Sequence, residues 1–211
     1  PLRGEGEIIL DLCGGTGSWS KPYKDAGYDV KLITLPDYDV NNRAKFPFEV
    51  VEALQNHQVY GILAAPPCTM FSFARTNAKT PRNLKEGMTC VRSCLDIIWQ
   101  YLEIRQETGK KTLPLKFWAL ENPYHGFLPH FLGKPAFTFD PWEFGDGYQK
   151  KTALWGNFNE PVKQPVPVDG VKFDYLKSKD IHPEHFGKFD RQTRRSITPQ
   201  GFAQAFFEAN R

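Results

Sequence analysis

Glu7-Ile-Ile-Leu-Asp-Leu-Cys-Gly-Gly-Thr-Gly17 decides the fold. Glu7–Leu12 is a short apolar run, Cys13 to Gly17 is a glycine turn, and Ser18–Ala26 reads as a helix closed by Gly27 at the position where helices accept glycine. Strand, glycine turn and helix recur along the chain. Asp29–Thr34 reads as a second strand, Phe46–His57 as an amphipathic helix, and Val59–Ala64 as a third strand that stops before Pro66-Pro67. A polar loop over residues 73–86 leads to a helix from Thr89 to about Glu107, with Val91, Leu95, Ile98 and Leu102 at helical spacing, and then to a buried strand at Phe117–Leu120. This alternation predicts an α/β fold on a parallel sheet.

The texture changes after Asn122. Prolines and aromatics are dense from Pro123 to Pro167, short strands are expected at Ala136–Phe139 and Thr152–Trp155, and residues 160–195 show little periodicity of either kind. Thr198 reads as a helix N-cap with Pro199 in the first turn, opening a helix whose Phe202, Phe206 and Phe207 share a face expected to pack on the sheet. The organisation expected is a catalytic domain over residues 1–159, a short recognition or lid segment over 160–195, and a C-terminal helix over 196–211 that packs back.

The chain has 211 residues, 40% of them hydrophobic, which suits one sizeable core and a small appendage. Charged residues make up 24% and no apolar run is long enough to span a bilayer, so a soluble protein without a membrane partner is expected. Mean hydropathy is −0.50. The first strand begins too early for a secretory leader, and a cytoplasmic location is the expectation. Cys13, Cys68, Cys90 and Cys94 form no C-x-x-C pair and have no clustered His, so neither a zinc site nor a disulfide framework is expected. The net charge of +3 is unevenly spread. Residues 73–92 hold five basic side chains against Glu86 alone, and residues 163–195 hold eight basic against five acidic. Two basic loops on an otherwise acidic chain suit a polyanion, although solvated loops give the same pattern.

Three strand ends carry chemistry. Asp11-Leu-Cys-Gly-Gly-Thr-Gly17 lets the backbone approach a ligand at the carboxyl end of a parallel strand. It lacks the G-x-G-x-x-G spacing and the P-loop lysine, which disfavours dinucleotides and ATP, and its acid suits a ligand with an amino acid moiety. Pro66-Pro-Cys-Thr-Met-Phe-Ser72 fixes the backbone ahead of Cys68 at the rim of the sheet, as a nucleophile requires. Glu121-Asn-Pro123 ends another strand, so Asp11, Cys68 and Glu121 are expected along one sheet edge.

These three strings, in this order, resemble the DNA cytosine methyltransferases that modify carbon 5 with S-adenosylmethionine, over about residues 7–160 and the C-terminal helix; a small phage-like member is the nearest description. The resemblance implies a Rossmann-like S-adenosylmethionine-dependent methyltransferase fold, a mostly parallel sheet with flanking helices and a small irregular subdomain. It implies Cys68 as nucleophile toward carbon 6 of cytosine, Glu121 as proton donor at ring nitrogen 3, Asn122 as the residue orienting the cysteine loop, and Lys151, in Gln149-Lys-Lys151, as a cation near the base or phosphate. It places S-adenosylmethionine, or a close analogue, against Asp11, Cys13, Gly14, Gly15, Gly17, Trp19 and Pro66, with Asp39 toward the adenine and Ser196 and Thr198 closing the methionine end. DNA is the implied partner, met by Ser72, Arg75, Lys79 and Arg82 beside the nucleophile and by Arg191, Arg194 and Arg195 in the shortened recognition segment. A monomer and no metal are expected.

The chain departs from the family pattern in places. Cys13 stands where phenylalanine is usual, Thr69 where glutamine is usual, and Ala153 where a second basic residue is usual. The acid expected after the second strand, which would hold the donor ribose, is replaced by Ile33-Thr-Leu-Pro-Asp37, leaving Asp37 or Asp39 to serve. Two other readings stay open: the same chemistry on RNA, on a free nucleotide or with a modified donor, and a DNA- or cofactor-binding protein without catalysis.

Overall fold

The computed structural model describes residues 6–75, 78–108, 115–166 and 187–211. Six strands form one sheet: β1 (Ile8–Leu12), β2 (Asp29–Ile33), β3 (Val59–Ala64), β4 (Phe117–Pro123), β5 (Phe137–Phe139) and β6 (Thr152–Asn157), in the order β2-β1-β3-β4-β6-β5. The first four strands pair parallel, and β4–β6 and β6–β5 pair antiparallel. The chain is therefore α/β with a mixed, mostly parallel sheet and flanking helices. The helices are α1 (Lys21–Asp25), α2 (Phe48–Gln55), α3 (Leu84–Thr108), α4 (Leu128–Leu132), α5 (Arg191–Ser196) and α6 (Gln200–Ala209). No helix among the described residues is long and apolar enough to cross a membrane.

Strand alternation divides the core in two. Leu10, Leu12, Ile62, Ala64 and Leu120 face α2 and α3, where Val50, Leu54, Val91, Ile97, Ile98 and Tyr101 are buried. Their neighbours Ile9, Leu63, Phe117 and Ala119 face Trp19, Tyr23, Phe202 and Phe206, from the glycine-turn segment, α1 and α6. The C-terminal helix thus packs on the sheet, with Phe202 stacked on Phe139 at 3.9 Å between centroids and Phe206 edge-on to Phe117 at 5.6 Å.

Several boundaries move from those expected. The first helix begins at Lys21, not Ser18, because Pro22 fits only the opening turn of a helix and residues 14–20 are taken up by turns. The third begins at Leu84, not Thr89: the Asn83 side chain accepts a hydrogen bond from the Glu86 amide at 3.1 Å and starts the helix one turn earlier. Thr198 is not the N-cap of α6. Pro199 holds that position in an extended conformation (φ −56°, ψ 133°), and its carbonyl accepts from the Ala203 amide. β4 runs on through Glu121 and Asn122, because β6 returns antiparallel and pairs them with Leu154 and Ala153. Within the segment 160–195, residues 167–186 lie outside the described residues, and 191–196 form a helix capped by Asp190, whose carboxylate accepts from the Thr193 amide at 2.7 Å.

Candidate active site

The sheet brings the three strand ends together. Leu12 is in register with Ala64, and Ala64 with Leu120. Beyond the strands the Ala65 amide still donates to Leu12 O at 2.9 Å, and the Cys13 amide to Ile33 O at 2.7 Å. The chain leaves the sheet at one edge in adjacent places, Cys13 to Gly17 after β1 and Pro66 to Ser72 after β3, while β4 beside them carries Glu121, Asn122 and Pro123 as its last residues. The Cys68 carbonyl accepts from the amides of both Phe71 and Ser72 at 2.9 Å, so the residue after the double proline opens a closed turn.

Alternation gives Glu121 and Asn122 opposite tasks. Asn122 is buried on the α3 side, and its Nδ2 donates to Pro66 O at 2.9 Å, tying the end of β4 to the cysteine loop. Glu121 faces the other way. Although part of the residue is exposed, its carboxyl sits deep enough that burial pushes its pKa up, with the Lys150 ammonium pulling it down. Burial also pushes the half-buried Cys68 thiol above its ordinary value; Lys150 and, more weakly, Arg195 oppose this, and Glu121 adds to it. Cys68 and Glu121 therefore form one electrostatic unit with a shared cation. That cation is Lys150 rather than Lys151, which instead pairs with Asp140 at 3.6 Å.

The glycine turn is built differently from expectation. Asp11 is fully buried and lies under the turn rather than in the crevice. Ser20 Oγ donates to its Oδ2 at 2.5 Å, Oδ1 has no hydrogen-bond partner, and a Cβ on Gly14 would stand 2.2 Å from Oδ1. Burial pushes its pKa up to about 6 against the Ser20 hydrogen bond. Asp11 thus shapes the turn from beneath. Gly15, at φ +58°, would carry a side chain into open space, with nothing within 4 Å. Its amide donates to Thr34 Oγ1 at 3.1 Å, so Thr34, just past the end of β2, ties the turn to that strand. Trp19 is sealed in the core between Phe202 and Phe206 and does not face the crevice. Asp39 accepts from the Asn41 amide, and Asn41 Nδ2 donates to Cys90 Sγ at 3.3 Å. Cys13, Cys90 and Cys94 gather beside Asp39, where a hydrogen bond to Cys13, then burial, raise the Cys94 thiol. All four cysteines are free. Among the described residues no group of His, Cys, Asp and Glu is arranged to hold a metal ion.

The basic residues divide between internal and external work. Arg82 spans the cysteine loop, donating to Met70 O at 2.5 Å and Ser72 O at 3.1 Å, with its guanidinium 5.0 Å over the Phe127 ring. Arg75 donates to the carbonyl and hydroxyl of Thr80. Arg194 is 6% exposed. Lys79, Lys85 and Arg195 are exposed, and the side chain of Arg191 lies outside the described residues. The Ser72 hydroxyl accepts from the Ala74 amide, and that of Ser196 donates to Thr193 O, so both close local turns. Thr198 is half-buried. Gln192 Nε2 donates to Thr69 Oγ1 at 3.3 Å and brings α5 onto the cysteine loop, a contact without a sequence signal, as is the role of Thr34.

The turn has room for the amino acid end of a donor such as S-adenosylmethionine, since a side chain at Gly15 would meet nothing within 4 Å and the buried Asp11 carboxyl lies beneath it. No model of a known protein family matches the chain, and no curated protein matches it.

Proposed function

We propose that the chain is a methyltransferase acting on carbon 5 of cytosine in DNA, on a Rossmann-like methyltransferase fold. The observation that carries this reading is that Asn122, next to Glu121 at the end of β4, donates to Pro66 O and so ties Glu121's strand to the Cys68 loop, beside the glycine turn that follows β1. Carbon 5 of cytosine is a poor nucleophile until carbon 6 is attacked and nitrogen 3 accepts a proton or hydrogen bond. Cys68, as the thiolate, adds to carbon 6, and the π electrons between carbon 5 and carbon 6 become the pair that takes the methyl group. The thiolate leaves again once carbon 5 gives up its proton to a base, restoring the double bond. Glu121, whose raised pKa favours the protonated form, donates at nitrogen 3. Lys150 offsets the negative charge that Cys68 must carry to attack. S-adenosylmethionine, when bound, supplies the electrophilic methyl group; the backbone of residues 13–17 would hold its amino acid end and Asp39 its adenine. In duplex DNA the target base must leave the stack to reach Cys68.

The test is covalent trapping. Oligonucleotides containing 5-fluorocytosine, with S-adenosylmethionine present, should give an adduct resistant to denaturant, and Cys68→Ser should abolish it. An adduct that survives this substitution removes the nucleophile assignment, and the absence of any adduct with wild-type protein, together with no calorimetric binding of the donor, removes the reading.

A further inference from the structure

We propose that Phe73 and Tyr124 form a stacking platform for unpaired bases on either side of the target in single-stranded DNA, an inference that rests on the reading of Cys68 and Glu121 given above. The two loops that leave the sheet at Cys68 and Glu121 close on each other a few residues further on. Ser72 bridges Gly126 in antiparallel fashion, the Phe73 amide donates to His125 O, and the Phe127 amide donates to Phe71 O, both at 3.1 Å. Close approach requires the glycine: a Cβ on Gly126 would stand 2.9 Å from Phe71 O. The Tyr124 amide donates to Lys151 O at 2.9 Å and fastens the ribbon to the strand that follows Lys150.

This ribbon leaves aromatic surface uncovered beside the nucleophile. Phe73 is 49% exposed and Tyr124 40% exposed, although Phe73 already has one edge against Phe127 (5.0 Å, 88°) and Tyr124 one against His125 (5.3 Å, 81°). Each ring is thus held by its neighbour while much of its own surface stays open. The antiparallel register puts Phe73 and Tyr124 on opposite faces of the ribbon, which assigns one ring to each base flanking the target. Ring faces take up bases of any sequence, provided those bases are unstacked, and exposed cations alongside track the phosphates. Lys79 and Lys85 on the following segment and Arg195 by the nucleophile supply that charge. A paired duplex offers these rings no base faces, so the occupant that fits is an unpaired DNA strand.

The test uses the 211-residue chain carrying Cys68→Ser and a fluorescein-labelled single strand of about 20 nucleotides, with its duplex and an RNA of the same sequence as comparisons in anisotropy titrations. Phe73→Ala and Tyr124→Ala should each weaken single-strand binding by about fivefold or more, leave duplex binding within about twofold and leave the salt slope unchanged, while Phe73→Trp and Tyr124→Phe keep affinity. Unchanged single-strand affinity in the double alanine variant, equal losses on strand and duplex, or tighter binding of the RNA overturns the proposal. Trapping with 5-fluorocytosine on protein with Cys68 intact separates the two readings. Ring-dependent strand binding with neither an adduct nor donor binding keeps the platform and removes the methyltransferase; an adduct with ring-independent binding does the reverse.

Discussion

Asp11→Asn should stabilise the protein, and only above the pH at which an ordinary aspartate ionises. The Asp11 carboxyl is fully buried, one oxygen bonded to Ser20 and the other without a partner, and its pKa stands at about 6 against an ordinary 3.8. Below the unfolded-state value both states hold the proton and the carboxyl adds nothing. Between the two values the folded state binds more protons than the unfolded one, so stability falls as pH rises, and above pH 7 the full penalty of about 3 kcal/mol is present. An amide of the same shape accepts from Ser20 and never ionises. The variant should therefore match wild type near pH 3.5 and exceed it by about 2–3 kcal/mol at pH 7.5, a rise in Tm of roughly 4–12 °C for a chain of this size. Urea denaturation from pH 3.5 to 8 measures the gap. A gap that is constant with pH, or opposite in sign at pH 7.5, refutes the placement of a charged, half-satisfied carboxylate beneath the turn.

Two further substitutions separate holding from binding. Arg82→Ala removes two charge-assisted hydrogen bonds to the cysteine loop, a loss of about 3 kcal/mol, and should slow adduct formation with 5-fluorocytosine DNA at least about tenfold without changing the salt slope of DNA binding; Arg195→Ala should instead lower that slope by about 0.9. If Arg82→Ala changes the slope and leaves trapping intact, the arginine meets phosphate and not Met70 and Ser72. Phe206→Ala, at the contact of α6 with Trp19 and Phe117, should cost about 3–5 kcal/mol in urea denaturation, and a loss below about 1 kcal/mol would show that α6 does not seal the sheet.

The parallel half of the sheet was legible because its signals are local. Ile8–Leu12, Asp29–Ile33 and Val59–Ala64 are apolar runs closed by turn residues, and each appears within a residue or two of its expected place. The extension of β4 through Glu121 and Asn122 was not legible, since a polar pair ends an apolar run and only β6, about thirty residues later in the chain, makes strand of it. The starts of α1 and α3 were written in the sequence and outweighed there by apolar spacing: Pro22 marks a first turn, and Asn83-Leu-Lys-Glu86 places a capping residue three positions before an acid. Which strand ends adjoin followed from the strands alone, but no local signal separates Lys150, whose charge acts on Cys68 and Glu121, from Lys151, which pairs with Asp140.

Charge was the least transferable signal, for a reason the arginines make plain. A guanidinium offers five donors on a planar fork, so an arginine in a loop is as apt to satisfy the carbonyls of its own loop as a phosphate. Arg82 joins Met70 O to Ser72 O across the turn that presents Cys68, and Arg75 closes on Thr80. Counting such residues toward a polyanion site overstates its size, because their charge remains while their donors are occupied. Lysine, with a flexible stem and a compact ammonium, is left at the rim in Lys79 and Lys85. The basic stretch after the nucleophile therefore does two jobs in sequence order: its arginines set the geometry of the cysteine loop, and its lysines leave the field outside it positive. On the proposed reading, an unpaired strand approaching Cys68 would meet that field first and the rings of the ribbon second, so that salt acts on encounter and the aromatic side chains on what stays bound.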